Sequence, residues 1–170
     1  MGFFDRIRNM INSKAPEVTF PVMLGAAAKG KVVPMEQIPD PVFAEGMLGT
    51  CCGVDPAEGK VYSPIDGKII SLTDTLHAVG IQGEGGIEVL IHVGVDTVGM
   101  KGNGFANCVK MGQSVRKGQL LLTMDLEKIA AAGHPATVIS VVTNTDDFAG
   151  VELVAADVVE PGDAMLRISK

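Results

Sequence analysis

The stretch Leu90-Ile91-His92-Val93-Gly94-Val95-Asp96-Thr97-Val98 decides the fold, because valine or isoleucine stands at every odd position from residue 87 to residue 95. As a strand, this segment buries one apolar face made of Ile87, Val89, Ile91, Val93 and Val95. Leu90, His92 and Asp96 share the opposite face. An imidazole is therefore expected on the surface of an otherwise apolar strand.

A second histidine lies fifteen residues upstream, at the end of the segment Thr73-Asp74-Thr75-Leu76-His77. Residues two apart on a strand point the same way, so the strand interpretation places Thr75 beside His77. Two histidines brought together on one surface would make a site.

Composition favours one strand-rich domain. A chain of 170 residues with 46% hydrophobic content can bury one sizeable core. Twenty-one glycines, nine prolines and no tryptophan indicate many turns that join short strands. The formal net charge of -6 argues against nucleic-acid binding and favours basic partners.

Three cysteines, Cys51, Cys52 and Cys108, lack the CxxC spacing of a zinc or dithiol site. Adjacent cysteines on a strand point to opposite faces, so we expect Cys51 and Cys52 to be small packing residues in a reduced state. No stretch approaches the ~20 apolar residues that span a bilayer. These features predict a soluble, cytoplasmic protein.

The first 17 residues differ from the rest of the chain. If residues 1–14 are helical, they carry an apolar stripe beside the basic residues Arg6 and Arg8. The stripe consists of Phe3, Phe4, Ile7, Met10 and Ile11. This pattern is typical of an amphipathic anchor on an anionic membrane surface, which would hold the protein at the inner face of the membrane. A frayed or disordered leader, or a helix that lies on its own domain, is the equal alternative.

Strand patterns follow one another from residue 18 to residue 170. They cover residues 30–33, 60–63, 67–72, 78–81, 87–95, 114–115, 119–123, 137–143 and 164–168. Only residues 126–132, closed by Gly133, read as a helix. The pattern predicts an all-β fold, a flattened antiparallel β-sandwich or barrel with short helical segments.

The two histidine segments, with Ile38-Pro39-Asp40-Pro41-Val42-Phe43-Ala44-Glu45, resemble the glucose-type enzyme IIA of the bacterial phosphoenolpyruvate:sugar phosphotransferase system. Further matching motifs are Tyr62-Ser63-Pro64-Ile65-Asp66-Gly67-Lys68-Ile69, Lys101-Gly102-Asn103-Gly104-Phe105, Gly112-Gln113-Ser114-Val115-Arg116-Lys117-Gly118 and Pro161-Gly162-Asp163. The resemblance implies a single type-1 EIIA β-sandwich domain over residues 18–170 that acts as a monomer.

The resemblance also implies a phosphocarrier, a phosphotransferase component without a required cofactor. His92 would accept the phosphoryl group on Nε2 from phospho-HPr and pass it to the cysteine of an enzyme IIB domain. Gly94 would supply the backbone contact to His92, His77 would stabilise the phosphate, and Thr75 would orient His77. Partner-binding positions would be Asp40, Pro41, Val42, Phe43, Leu90 and Asp96, with Phe43 as the anchor.

Three positions depart from the family pattern. Leu90 and Thr73 replace aromatic residues that are frequent in enteric members, and Leu76 replaces a polar one. The rim of the site is thus less aromatic. The regulatory targets known for enteric relatives recognise this rim, so they are not assigned to this protein without binding data.

Other interpretations stay open at this point. Residues 112–121 also resemble a turn of biotinyl and lipoyl carriers, but Lys128 lies in a helical pattern and lacks their motif. A zinc hydrolase is a poor match for three histidines without a His-x-His pair. No metal site is intrinsic to the chain, although His77 and His92 could bind zinc with a partner carboxylate. A pure regulator, gated by phosphorylation, would use the same surface. His134 fits a capping or surface role.

Overall fold

The computed structural model describes residues 18–170. The leader proposed for residues 1–17, including the membrane contact of residues 1–14, lies outside the described residues. The described strands are β1 Val22–Gly25, β2 Gly30–Val33, β3 Thr50–Pro56, β4 Lys60–Tyr62, β5 Gly67–Leu72, β6 Ala78–Gly83, β7 Glu88–Val93, β8 Phe105–Asn107, β9 Ser114–Val115, β10 Leu120–Met124, β11 Val138–Val142, β12 Gly150–Leu153, β13 Val158–Val159 and β14 Ala164–Ser169.

These strands form three sheets. The large sheet has the order β13-β2-β3-β11-β7-β6-β5-β9, and the two smaller sheets have the orders β1-β14-β12 and β4-β10-β8. Every pair is antiparallel. One apolar cluster contains side chains from all three sheets, among them Leu24, Ile91 and Leu122. The predicted all-β sandwich with short helical segments is therefore confirmed.

The helices are short. They are α1 Pro41–Ala44 and α2 Leu126–Ala131, with 3-10 turns at Met35–Gln37, Glu84–Gly86, Thr97–Met100 and Thr145–Asp147. In α2 the Asp125 side chain accepts a hydrogen bond from Lys128 N at 3.1 Å, which caps the first turn. Gly133 follows with φ +81°, a conformation that favours glycine at a helix end. The helix predicted at residues 126–132 is thus present. Within residues 18–170, no helix combines the length and the apolarity needed to cross a bilayer.

Strand β7 ends earlier than the sequence pattern predicts. It stops at Val93 because Gly94 adopts φ +77° and turns the chain. Val95 is still buried, but it packs in a second cluster on the other side of the large sheet. The expectation that Val95 shares a face with Ile91 and Val93 is therefore wrong.

The second cluster lies under α1 on the outer face of the large sheet. Its buried members are Val33, Ile38, Phe43, Cys51, Val95, Ile139 and Val141. On β3, Cys51 packs in this cluster and Cys52 in the main core, as expected for adjacent strand residues. Burial raises the pKa of the Cys51 thiol to about 11 and that of Cys52 to about 12. Both thiols therefore stay protonated at neutral pH and act as packing residues.

Candidate functional site

The β6–β7 hairpin brings His77 and His92 together. Its register pairs Ala78 with His92, and Val93 N donates a hydrogen bond to His77 O at 2.7 Å. The hairpin turns through Glu84–Gly86, where Gly85 has φ +67°. The two imidazole centroids lie 5.1 Å apart with the ring planes at 77°. Two rings in this arrangement form a candidate site on the outer face of the large sheet.

The hydrogen bond on Nδ1 fixes the tautomer of His92. Nδ1 lies 2.8 Å from Gly94 O, and a carbonyl oxygen can only accept, so Nδ1 carries the proton. Nε2 then keeps its lone pair in the neutral ring. At Gly94 a side chain would overlap the methyl group of buried Thr97. Glycine is therefore required both by the positive φ and by this close packing.

Burial keeps both rings neutral. It lowers the pKa of His92, and the neighbouring His77 lowers it further. The Gly94 carbonyl and the carboxylates of Asp40 and Asp96 act in the opposite direction without reversing the shift. Burial also lowers the pKa of His77. A neutral imidazole is the nucleophilic form, so at pH 7 a ring nitrogen with a free lone pair can act as a nucleophile.

Thr75 contacts His77 through a turn, not through a strand. Its hydroxyl lies 2.5 Å from His77 Nδ1, while Leu76 between them adopts φ +60°. Strand spacing predicted that Thr75 lies beside His77. Residues 73–77 instead precede β6, and the turn that they form folds Thr75 back toward the ring of His77. The Thr73 hydroxyl is 3.5 Å from the same nitrogen and is also bonded to the backbone of Ala78. A hydroxyl can donate or accept a hydrogen bond, so this contact is compatible with a proton on either ring nitrogen of His77.

Phe43 is part of the site's wall. Its side chain is 5% exposed, and its ring centroid lies 4.9 Å from that of His92 at 53°. The side chain thus fills the second cluster, and its role as an anchor of partner contact stays a prediction. The Cys51 thiol lies 3.3 Å from Phe43 O and donates to it, which ties α1 to β3.

Helix α1 carries other residues of the candidate partner surface. Asp40 is its N-cap, accepting from Val42 N at 2.9 Å, and Pro41 occupies the first helical position. The sequence analysis missed this helix, although an Asp-Pro pair is a typical helix start. Pro41 and Val42 are exposed, Val42 at 39%, and Leu90 is half-buried.

Two further exposed apolar residues flank the site and were not expected from the sequence. Met47 N bonds to Val42 O, which places Met47 directly after α1. Val98 is 53% exposed and belongs to the turn after Asp96, which is itself exposed with φ +59°. The sequence signal that could have identified Met47 and Val98 is an apolar residue within a turn.

The metal-binding capacity of the pair is limited. In the described part of the chain, no group of three or more histidine, cysteine or acidic residues is arranged to hold a metal ion. His77 and His92 could supply two imidazole ligands, so further ligands would have to come from a partner. A cleft of about 740 Å³ lies beside α2, and neither histidine lines it.

Comparison with known proteins identifies the family. The sequence model of the phosphoenolpyruvate-dependent sugar phosphotransferase system, EIIA 1, matches residues 22–148. A glucose-specific EIIA component of Bacillus cereus is 44% identical over 136 residues, which cover 80% of this chain and 80% of that protein. A glucose-specific EIIA component of Staphylococcus epidermidis is 38% identical over 155 residues, covering 90% of this chain and 92% of that protein.

Larger proteins and a solved structure also match. A beta-glucoside-specific EIIBCA component of Dickeya chrysanthemi is 45% identical over 139 residues, covering 82% of this chain but 22% of that protein. The chain thus spans about a fifth of such multicomponent relatives. The glucose permease IIA of Mycoplasma capricolum superposes with a TM-score of 0.78 at 30% identity, covering 88% of this chain and 96% of that one. The chain therefore belongs to the EIIA 1 family of the phosphoenolpyruvate-dependent sugar phosphotransferase system, whose members are phosphocarrier components of sugar uptake.

Proposed function

We propose that His92 Nε2 accepts a phosphoryl group from phospho-HPr and passes it to the cysteine of an enzyme IIB domain. The observation that carries this proposal is the bond from His92 Nδ1 to Gly94 O, which leaves Nε2 as a neutral nucleophile. The Nε2 lone pair forms the new bond to phosphorus while the bond to the donor breaks. In the second step the cysteine sulfur forms a bond to phosphorus while the bond between phosphorus and Nε2 breaks, and the electron pair of that bond returns to Nε2.

His77 stabilises the transferred group. Phosphoryl transfer has a loose transition state, so the protein contributes mainly alignment and charge stabilisation on the equatorial oxygens. With Thr75 donating to Nδ1, the His77 ring carries its proton on Nε2 and can donate it to a phosphate oxygen. The 5.1 Å separation of the ring centroids supports this role.

The surface around the pair serves as the docking face. Exposed Pro41 and Val42 with half-buried Leu90 supply apolar contact, while Asp40 and Asp96 supply negative charge for basic residues of HPr and IIB. Phe43 supports this face from below. Regulatory targets would compete for the same residues.

Further parts of the proposal concern the setting of the domain. Residues 18–170 act as one domain, which the shared apolar cluster of the three sheets supports, and this domain works in the cytoplasm as a monomer. No cofactor is required for transfer. Zinc binding at His77 and His92 would depend on a carboxylate from a partner.

Labelling tests the proposal. With phosphoenolpyruvate, enzyme I and HPr, the chain should gain acid-labile, base-stable phosphate, and His92→Ala should abolish this label. His134→Ala is the matched control because it removes an imidazole that follows α2 instead of one in the pair. Label that persists in His92→Ala, or that disappears in the control, would contradict the assignment.

A further inference from the structure

Thr97 is a buried polar residue next to the phosphoryl-accepting histidine. It has 0% exposure, and its hydroxyl donates to Val93 O at 2.5 Å. Its methyl group packs on the α-carbon of Gly94, at the place where a side chain would otherwise lie. Thr97 therefore touches the chain on both sides of the Val93–Gly94 peptide bond. Both contacts are to the backbone segment and not to a hydrogen-bonding atom of His92.

The rest of the same backbone segment is held by the loop residues that precede β11. Gly94 N donates to Thr137 O at 2.8 Å, and Val95 N donates to Pro135 O at 3.0 Å. The Gly94 carbonyl meets the ring of His92, at 2.8 Å from Nδ1. Glycine can adopt many backbone conformations, among them the positive φ seen at Gly94. The direction of its carbonyl group therefore depends on such hydrogen bonds.

We propose that Thr97 is a positioning residue, whose hydroxyl holds the Val93–Gly94 backbone so that the Gly94 carbonyl keeps His92 in its Nδ1-protonated tautomer. This inference rests on the proposed function of His92. Without the hydroxyl, the Val93 carbonyl loses a buried donor and the turn relaxes. Part of the His92 population then carries its proton on Nε2, where the lone pair is no longer available for attack.

Two substitutions remove the hydroxyl and one retains it. Thr97→Val keeps the branched shape but places a methyl group against Val93 O, and Thr97→Ala loses the hydroxyl without that clash. Thr97→Ser keeps the donor. Ser63→Ala is the matched control, because the Ser63 hydroxyl is equally buried and donates to a nearby carbonyl, Ile65 O, at 2.7 Å.

The tautomer of His92 is read by long-range proton–nitrogen NMR on the unphosphorylated full chain, and the rate of label uptake from phospho-HPr is measured in parallel. We expect the folded variants without the hydroxyl to gain Nε2-protonated His92 and to accept phosphate about fivefold more slowly, the factor of one net hydrogen bond. Thr97→Ser should restore both properties. Ser63→Ala should lower thermal stability and leave both unchanged.

A folded variant without the hydroxyl that keeps the parent His92 signals and uptake rate would overturn the proposal. So would equal effects in Thr97→Ala and Ser63→Ala, because these would indicate a general loss of stability. The tautomer signal does not depend on phosphoryl transfer, whereas the His92→Ala labelling result does. Failure of the positioning role and failure of the phosphocarrier assignment are therefore distinguishable.

Discussion

At the residue scale, the two imidazoles differ in the group that holds Nδ1. A carbonyl oxygen holds His92 and allows one tautomer, whereas the hydroxyl of Thr75 holds His77 and allows either. His92 is thus suited to be the nucleophile. His77 can present a donor to the phosphate when the reaction requires one.

Replacing His77 tests this division of roles. His77→Gln removes the ring N–H that the Thr75 contact holds toward the phosphate, but it leaves the His92 nucleophile in place, so we expect uptake of label from phospho-HPr to continue. Release to an enzyme IIB domain should slow by about 10²-fold, the cost of a lost charge-stabilising donor. Quenched-flow labelling measures both steps. Equal loss of uptake and release would contradict the division.

The pH dependence of stability follows from burial of His92. Its folded pKa lies below the ordinary value of 6.5, so between the two values the unfolded chain binds more protons than the native one. The free energy of unfolding should therefore fall as pH drops below 6.5 and level off below the folded pKa. Denaturant unfolding at pH 7.5 and pH 5.5 should show a smaller fall in His92→Gln than in the parent. His134→Gln is the control. If the unfolding free energy of His92→Gln falls between the two pH values as much as that of the parent, burial of His92 does not cause the pH dependence.

At the element scale, α1 connects the proposed docking face to the ring of His92. Asp40 caps this helix, Phe43 extends from it to His92, and the Cys51 thiol holds the Phe43 carbonyl. A four-residue helix has little stability of its own, so these contacts determine where it lies. The helix is thus a support for the site as well as part of its surface.

Two substitutions at Asp40 separate its cap from its charge. Asp40→Asn keeps a side-chain oxygen for Val42 N, so we expect parent-like stability but slower label uptake at low salt. Asp40→Ala also loses the cap and should cost about 1 kcal/mol in unfolding free energy. Chemical denaturation and uptake rates together check both effects. Identical stabilities for the two variants would show that the cap contributes nothing.

Sequence patterns predicted what is local and missed what depends on distant residues. The alternation in β7 predicted His92 on a strand face opposite the buried one, whereas the expectation that His77 lies beside it came from the family resemblance. The strand interpretation overrode the local signal of a turn at Gly94, and the typical Asp40-Pro41 helix start was not used. Burial of Phe43 had none, because its cluster is built from strands far along the chain, with Ile139 and Val141 from β11.

At the scale of the whole molecule, negative charge should accelerate encounter with basic partners. The chain has a formal net charge of -6, and the exposed carboxylate of Asp96 lies beside the reactive pair. Salt screens such attraction over a Debye length of about 10 Å at 0.1 M. The second-order rate of phosphoryl uptake should therefore fall as ionic strength rises.

A charge-matched pair of variants localises this effect. Asp96→Asn should weaken the salt dependence of uptake, whereas Glu127→Gln on α2 removes the same charge from another element and should leave the dependence close to the parent. Stopped-flow or label uptake from phospho-HPr between low and moderate salt is the measurement. Equal slopes for the two variants would mean that net charge alone, without its placement, sets the rate.

The most direct test of the central claim is the position of the phosphoryl group on the chain phosphorylated by phosphoenolpyruvate, enzyme I and HPr. Long-range proton–nitrogen NMR of the histidine rings, coupled to phosphorus, identifies the residue and the nitrogen. The account predicts one phosphoramidate, on Nε2 of His92, with the proton retained on Nδ1. A phosphoryl group on His77, or on Nδ1 of His92, would contradict it.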